Sequence, residues 1–302
     1  MRVLLILGMM LFAKVFALQA RRHFAPSRVL VSGFGTAQAS CPRPPIALSM
    51  SSSAGGAEVE VEDEVEVEDD GDDGDSKLRA AEGSLRLKVR QHVNPLASKY
   101  QVPISLDANW IDTSFEKPNQ PLLIDVGCAK GTWGLSYARA NPQHNVLGLE
   151  IRRPVVELAL RRKQVWGLAN VHFLATNANI DLKRIVRDVL QRNTEIRMVS
   201  IHHPDPHFKS KHKKRRVVNP DFVDELASLL PSGVKVFVQS DVLELCQDMV
   251  ETISANPEFL VEVGHSISTI DSNPAPTDIK TEREIATLNK GLPVFRCLFR
   301  RV

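Results

Sequence analysis

From Leu122 onward, apolar residues alternate between short unbroken runs and stripes at helical spacing. The runs Leu122–Asp125, Val146–Glu150, Val171–Ala175, Arg197–Ile201 and Val234–Gln239 have strand character. Between and after them, Thr132–Ala140, Pro154–Gly167, Asp181–Arg192, Pro220–Leu230 and Asp241–Asn256 place apolar side chains on one face of a helix. This alternation predicts an α/β fold built on a doubly wound, mostly parallel sheet. The end departs from that rhythm: a short run at Phe259–Val263, a polar Pro/Ser/Asp loop, a helix opening at Thr281-Glu-Arg-Glu284 and a last strand over Val294–Arg301. No internal repeat is present.

The first third of the chain is organised differently. Leu78–Tyr100 predicts a helix with a basic face (Arg79, Arg86, Lys88, Arg90), stopped near Pro95 and Pro103. Residues 51–76 alternate Glu with Val and then run into Asp and Gly; like charges and little apolar surface predict a disordered linker. Met1–Leu18 has the shape of a signal-peptide core, too short and interrupted at Lys14 for a good membrane span. Gln19–Met50 follows with arginines, serines and no acids, the composition of an organellar transit peptide. The expected organisation is a leader over 1–50, an acidic linker over 51–76 and one domain over 77–302. A two-part leader of this kind directs a protein to a plastid of secondary origin; a simple mitochondrial or plastid leader, or a secretory signal, are the alternatives. No membrane association is expected of the mature form.

Composition adds a charge asymmetry. The 302 residues are 43% hydrophobic with a net charge of +2. Residues 1–50 hold six bases and no acid, and residues 51–75 hold twelve acids and no base, which leaves residues 76–302 at +8. So basic a domain suggests an anionic partner such as nucleic acid. The four cysteines (Cys41, Cys128, Cys246, Cys297) are scattered singly and predict neither a disulfide framework nor a zinc knuckle.

Candidate chemistry centres on Leu122–Gly134, LLIDVGCAKGTWG. A strand ends on Asp125 and turns on Gly127, Gly131 and Gly134 into a helix, as at a cofactor cleft of an α/β sheet. The first glycine gap is two residues longer than in a dinucleotide fingerprint. The next strand ends on Glu150, placed to grip a ribose diol. Acids at both strand ends without a phosphate-cradling loop suit S-adenosylmethionine; a dinucleotide, or a βαβ unit without cofactor, fits the same residues less well.

The segment Ser200–Arg216, SIHHPDPHFKSKHKKRR, leaves a strand with Asp205 fixed between Pro204 and Pro206. Lys209, Lys211, Lys213, Lys214, Arg215 and Arg216 follow, dense enough to neutralise several phosphates. His202, His203, His207 and His212 lack the partners of a recognised metal site, and no metal is expected. Asp241 reads as a helix N-cap, as a second acid of the cleft, or as both. Thr281 and Glu284 form a capping-box pattern.

With these pieces in hand, the chain resembles the tRNA (guanine-N7)-methyltransferase family of the TrmB type. The matching blocks are RQHVNP (90–95), DVGCAKG (125–131), GLE (148–150), PDPHFKSKHKKRRVVNP (204–220), SD (240–241), TEREIATLNKG (281–291) and PVFR (293–296). The resemblance implies a Rossmann-like, S-adenosylmethionine-dependent fold of seven strands, the last antiparallel. It implies methylation of guanosine 46 in the variable loop of tRNA, without an obligatory protein subunit. It implies that Asp125, Gly127, Glu150, Asn177, Ala178 and Asp205 contact the cofactor and that Asp205 is catalytic. Lys209, Lys211, Lys213, Lys214, Arg215, Arg216, Asp241, Thr281 and Glu284 fall on tRNA or guanine contacts. The chain departs from the family pattern at Asp125, where Glu is commoner, and at Asn177, where many members carry Asp. It also departs at His202-His203, usually aromatic or apolar, and at His207, where Trp is frequent.

Overall fold

The computed structural model describes residue 89, residues 92–262 and residues 276–302. The leader, the acidic linker and most of the Leu78–Tyr100 helix expected from the sequence lie outside them. Within residues 92–100 no α-helix forms; only the 3-10 turn Ser98–Tyr100 is present. Pro95 supplies no N–H, its carbonyl is taken by Gln101 Nε2 at 2.7 Å, and Asn94 Oδ1 accepts from Leu96 N at 3.3 Å, so local bonds compete with a helix.

Seven strands form one sheet: β1 (Leu122–Val126), β2 (Asn145–Glu150), β3 (Val171–Ala175), β4 (Ile196–His202), β5 (Lys235–Ser240), β6 (Phe259–Val261) and β7 (Phe295–Arg301). Their order is β3-β2-β1-β4-β5-β7-β6. The first five run parallel, and β7 is antiparallel to both β5 and β6, as expected. Helices α2 (Thr132–Ala140) and α3 (Arg153–Trp166) cover one face. Helices α4 (Ala178–Gln191), α5 (Pro220–Leu229) and α6 (Leu243–Ser254) cover the other. The short helices α1 (Trp110–Ser114) and α7 (Glu282–Leu288) complete the described fold. No described helix is long and apolar enough to cross a membrane.

The period of two along each strand divides the core. Leu122, Ile124 and Val126 enter the core under α4–α6, whereas Leu123 enters the core under α2 and α3. By the same parity Asp125, Glu150 and His202 fall on the α2 side, at the carboxyl ends of three adjacent strands. The order turns back between β1 and β4, which is where ligands enter such sheets.

Two differences from the expected elements matter. Helix α6 begins at Leu243 rather than Asp241, because the Ser240 hydroxyl already accepts from Val242 N at 3.0 Å. Asp241 is therefore not the N-cap. The basic loop also contains a 3-10 helix, Ser210–Arg215, that its charge density gave no reason to expect.

The β1–α2 turn is built as its glycines suggested. Gly127 N and Cys128 N both donate to Leu149 O, at 2.8 and 3.1 Å, which ties the turn to β2. Gly131 has φ +75°, and a Cβ there would come within 2.6 Å of the Phe173 ring. Gly148 lets β2 pass under Cys128, since a Cβ would lie 2.7 Å from its Sγ. Cys128 is thus a small buried residue whose thiol burial pushes well above its ordinary range.

Candidate active site

At the carboxyl ends of β1, β2, β4 and β5 lies a cavity of about 960 Å³. Asp125, Glu150, Asp205 and Asp241 all line it, so four of the five acids singled out in the sequence share one space. Gly127, Asn177, Ala178 and Thr281 line it too.

Asp125 is 2% exposed and accepts from the Ser200 hydroxyl at 3.2 Å. Burial, reinforced by Glu150 and only partly offset by that hydroxyl, pushes its carboxyl up to about 7. His202 Nε2 stands 3.8 Å from it. The imidazole packs against Trp133 with ring centroids 4.4 Å apart, and burial holds it neutral, down to about 3. Both of its ring nitrogens are buried without a hydrogen-bond partner. The sequence singles out His202 only as a dismissed metal candidate and a departure from the family pattern, and gives Trp133 no role.

Glu150 is buried and engaged by Arg152. The Arg152 Nε and main-chain N reach Oε1 at 2.8 and 2.9 Å, and its terminal nitrogen reaches Oε2 at 3.0 Å. Oε1 is filled by the Nε and main-chain donors, whereas Oε2 keeps acceptor capacity for a hydroxyl. Arg152 is a site residue the sequence did not flag, although it lies two positions beyond the acid on the strand end.

Asn177 faces the same cavity, but its amide is committed to the protein. Oδ1 caps α4 by accepting from Asn179 N at 3.2 Å, while Nδ2 donates to Tyr100 O at 3.0 Å and Pro95 O at 3.4 Å. The residue therefore straps residues 95–100 to the cavity wall rather than offering its donors to a cofactor. Asn177→Asp would set a carboxylate against two carbonyl oxygens, leaving them unpaired at roughly 1–3 kcal/mol. We expect this variant to raise KM for the methyl donor about tenfold with kcat for bound donor changed little. Steady-state kinetics would check it, and an unchanged KM would show the strap to be irrelevant.

Asp205 projects from a distorted loop. After β4, His203 takes φ +46° with its N donating to Gln239 O at 2.8 Å, and His207 takes φ +43°. His207 N donates to Asp205 Oδ1 at 3.4 Å, and His92 Nδ1 lies 2.8 Å from Oδ2. Arg216 braces the loop: its Nε donates to Pro206 O at 2.9 Å and it ion-pairs with Asp248 at 2.7 Å. At 5% exposure Arg216 is a buried brace and not part of the exposed basic run assigned to RNA. Lys209, Lys211, Lys213 and Lys214 are exposed; Lys214 and Arg215 line the cavity, whereas Lys209, Lys211 and Lys213 lie outside it.

On the far wall, Asp241 is clamped by Arg283, whose Nε and terminal nitrogen approach it at 3.0 and 2.8 Å, and by His203 Nδ1 at 3.3 Å. Burial pushes its carboxyl up, but the Arg283 and His203 contacts outweigh this and hold it below the usual range. Thr281 and Glu284 form the expected capping box of α7. Glu284 is 4% exposed, does not line the cavity and pairs with Arg296 at 2.5 Å. Glu282 and Arg283, between the two capping residues, are the α7 residues that line the cavity. Among the described residues no three His, Cys, Asp or Glu side chains are grouped to hold a metal ion.

Comparison with known proteins decides the family. Residues 119–297 match the family model described as "Putative methyltransferase". The tRNA (guanine-N(7)-)-methyltransferase of Synechococcus elongatus is 44% identical over 220 residues, covering 72% of this chain and 97% of the relative. The chain belongs to the tRNA (guanine-N7)-methyltransferase family. The enzyme of that name from Thermosynechococcus vestitus is 42% identical over 221 residues, covering 73% and 98% of the two chains. The one from Synechocystis is 39% identical over 219 residues, covering 72% and 98%. Membership accounts for the coincidence of the glycine turn, the proline-flanked acid and the T-x-x-E helix around one cavity in this methyltransferase.

Proposed function

We propose that this protein transfers a methyl group from S-adenosylmethionine to N7 of guanosine 46 in the variable loop of tRNA. The observation that carries the reading is the convergence of four carboxylates on one cavity whose rim bears Lys214 and Arg215. When bound, the cofactor supplies a methyl group activated by a positively charged sulfur. The residues present suit such a group: Glu150 Oε2 for a ribose hydroxyl, an acidic wall for the cation, and the unpartnered nitrogens of His202 for the polar amino-acid end.

Guanine N7 carries a lone pair at neutral pH, so the protein has no strong base to provide. Its task is to hold the nucleophile in line, which can contribute several kcal/mol. Asp205, braced by its prolines, His92 and Arg216, is positioned to stabilise positive charge developing on the purine. Asp241, fixed by Arg283, adds a second carboxylate on the opposite wall. The exposed lysines of the loop hold the phosphates, and the target base leaves its stack to reach the cavity.

The test is incubation of the purified full chain with S-adenosylmethionine and unmodified tRNA, followed by nucleoside analysis and mapping. Formation of 7-methylguanosine at position 46 is expected, and methylation elsewhere, or none, would refute the reading. Donor affinity should also depend on pH in one direction. Asp125 titrates near 7, and only its ionised form attracts the cationic donor, so affinity rises by about tenfold per unit toward pH 7 and is flat above. Asp125→Asn removes that slope. The same raised carboxyl costs stability as pH climbs from 3.8 to about 7, because the folded chain keeps a proton that the unfolded chain has lost.

For location we propose a plastid, with the mitochondrion as the alternative. The arginine- and serine-rich leader supports this. A fluorescent fusion of residues 1–76 that stays in the cytosol would sink it.

A further inference from the structure

The sequence contains 12 phenylalanines, and those described on the sheet and its helices are buried or half-buried. Phe208 is the exception, at 65% exposure, and it lines the cavity three residues beyond Asp205. Leaving a phenyl ring in water forgoes the free energy of burying it, and this ring does so at the cavity beside Asp205 rather than on an outer surface. The local backbone supplies the geometry. His207, with φ +43°, turns inward until its Nε2 lies 3.7 Å from Asp205 Oδ2, and Phe208 is left facing out.

The surroundings identify what covers the ring. Lys209 follows it directly, and Lys214 and Arg215 share the cavity wall. Among the described residues, the other exposed large apolar side chain lining the cavity is Leu96, 45% exposed, from the segment that Asn177 straps down. Two isolated apolar side chains among cations do not make a protein-docking face, which needs a contiguous patch of several hundred Å². A planar ring set among phosphate-binding cations is the arrangement that holds a single unstacked base of a nucleic acid.

We infer that Phe208 is the stacking platform for the guanine to be methylated, holding the flipped base at the mouth of the cavity in front of Asp205. The proposal rests on the RNA-methylating reading above and adds to it a residue that sets substrate affinity. Phe208 is a positioning residue, because it offers a face to the base and takes no part in the transfer of the methyl group.

The experiment compares the full chain with Phe208→Leu and Phe208→Trp, using unmodified tRNA and the same tRNA with an abasic ribose at the mapped target. Leucine keeps the apolar bulk and removes the planar face. We expect Phe208→Leu to raise KM for tRNA roughly 5- to 100-fold, with S-adenosylmethionine affinity unchanged within about twofold. Phe208→Trp should keep wild-type KM, and its fluorescence should be quenched by intact tRNA beyond the wild-type response and not by the abasic form. An active wild type with an equally active Phe208→Leu variant would overturn the inference and leave the proposed function standing. So would tryptophan quenching that is equal with abasic tRNA or with polyglutamate, which would indicate a neighbouring base or mere charge. A wild type that does not methylate tRNA would overturn both.

Discussion

Replacing Asp205 with alanine or asparagine is expected to slow methyl transfer by about 10²–10³-fold while donor and tRNA binding persist. The carboxylate sits on a loop held from several directions: prolines on either side, His203 N on Gln239 O, and Arg216 on both Pro206 O and Asp248. Removing one partly exposed side chain leaves those supports in place, so the fold survives. What is lost is a fixed negative charge where the purine becomes positive. Asparagine keeps the shape and removes only the charge, so it should be nearly as damaging as alanine. Single-turnover rates at saturating donor and tRNA would measure this directly. A rate for Asp205→Asn within about threefold of wild type would leave the carboxylate without its assigned role.

The second large effect is on stability. Glu284→Ala is expected to lower unfolding free energy by about 3–5 kcal/mol, because Arg296 is then left buried without its partner. The same change removes the acceptor for Gln239 Nε2 and one half of the capping box on Thr281. Urea denaturation gives the number. If Glu284 acts on the fold, tRNA affinity of the folded variant stays near wild type, and Glu284→Leu with Arg296→Met recovers most of the loss. If instead stability is unchanged and tRNA affinity falls, the substrate role that its motif implied is restored and the buried-pair account fails.

The core α/β arrangement was legible because each strand and helix carries its own period. Thr132–Ala140 emerges with the bounds its pattern predicted, and the strand that opens at Leu122 runs one residue past Asp125, to Val126. The reversed last strand came from family resemblance, since Val294–Arg301 does not state its direction. Residues 92–100 misled because the helix was read from a basic face at residues 79–90 and carried on through them, whereas Asn94 and Pro95 supply local bonds that compete with a helix. At the site, acids at strand ends could be found from sequence, as parity and position place them. The partners that complete them could not. Arg152, His92 and Arg283 reach Glu150, Asp205 and Asp241 from spacings of 2, 113 and 42 residues, and the two long-range pairings are visible only once the chain is folded. Arg216 belongs to a run of cations by composition, and only its burial separates it from the lysines beside it.

The acidic wall has a consequence for the end of the catalytic cycle. Methylation moves one unit of positive charge a few ångströms, from sulfur to purine, and the total within the hollow stays constant. The surrounding dipoles therefore need no rearrangement as the bond changes hands. Afterwards the spent donor has lost the charge by which it was retained, whereas the modified nucleoside has acquired it. Departure should be ordered, the thioether first and the RNA last, so that the RNA's escape rather than the bond-making step limits turnover.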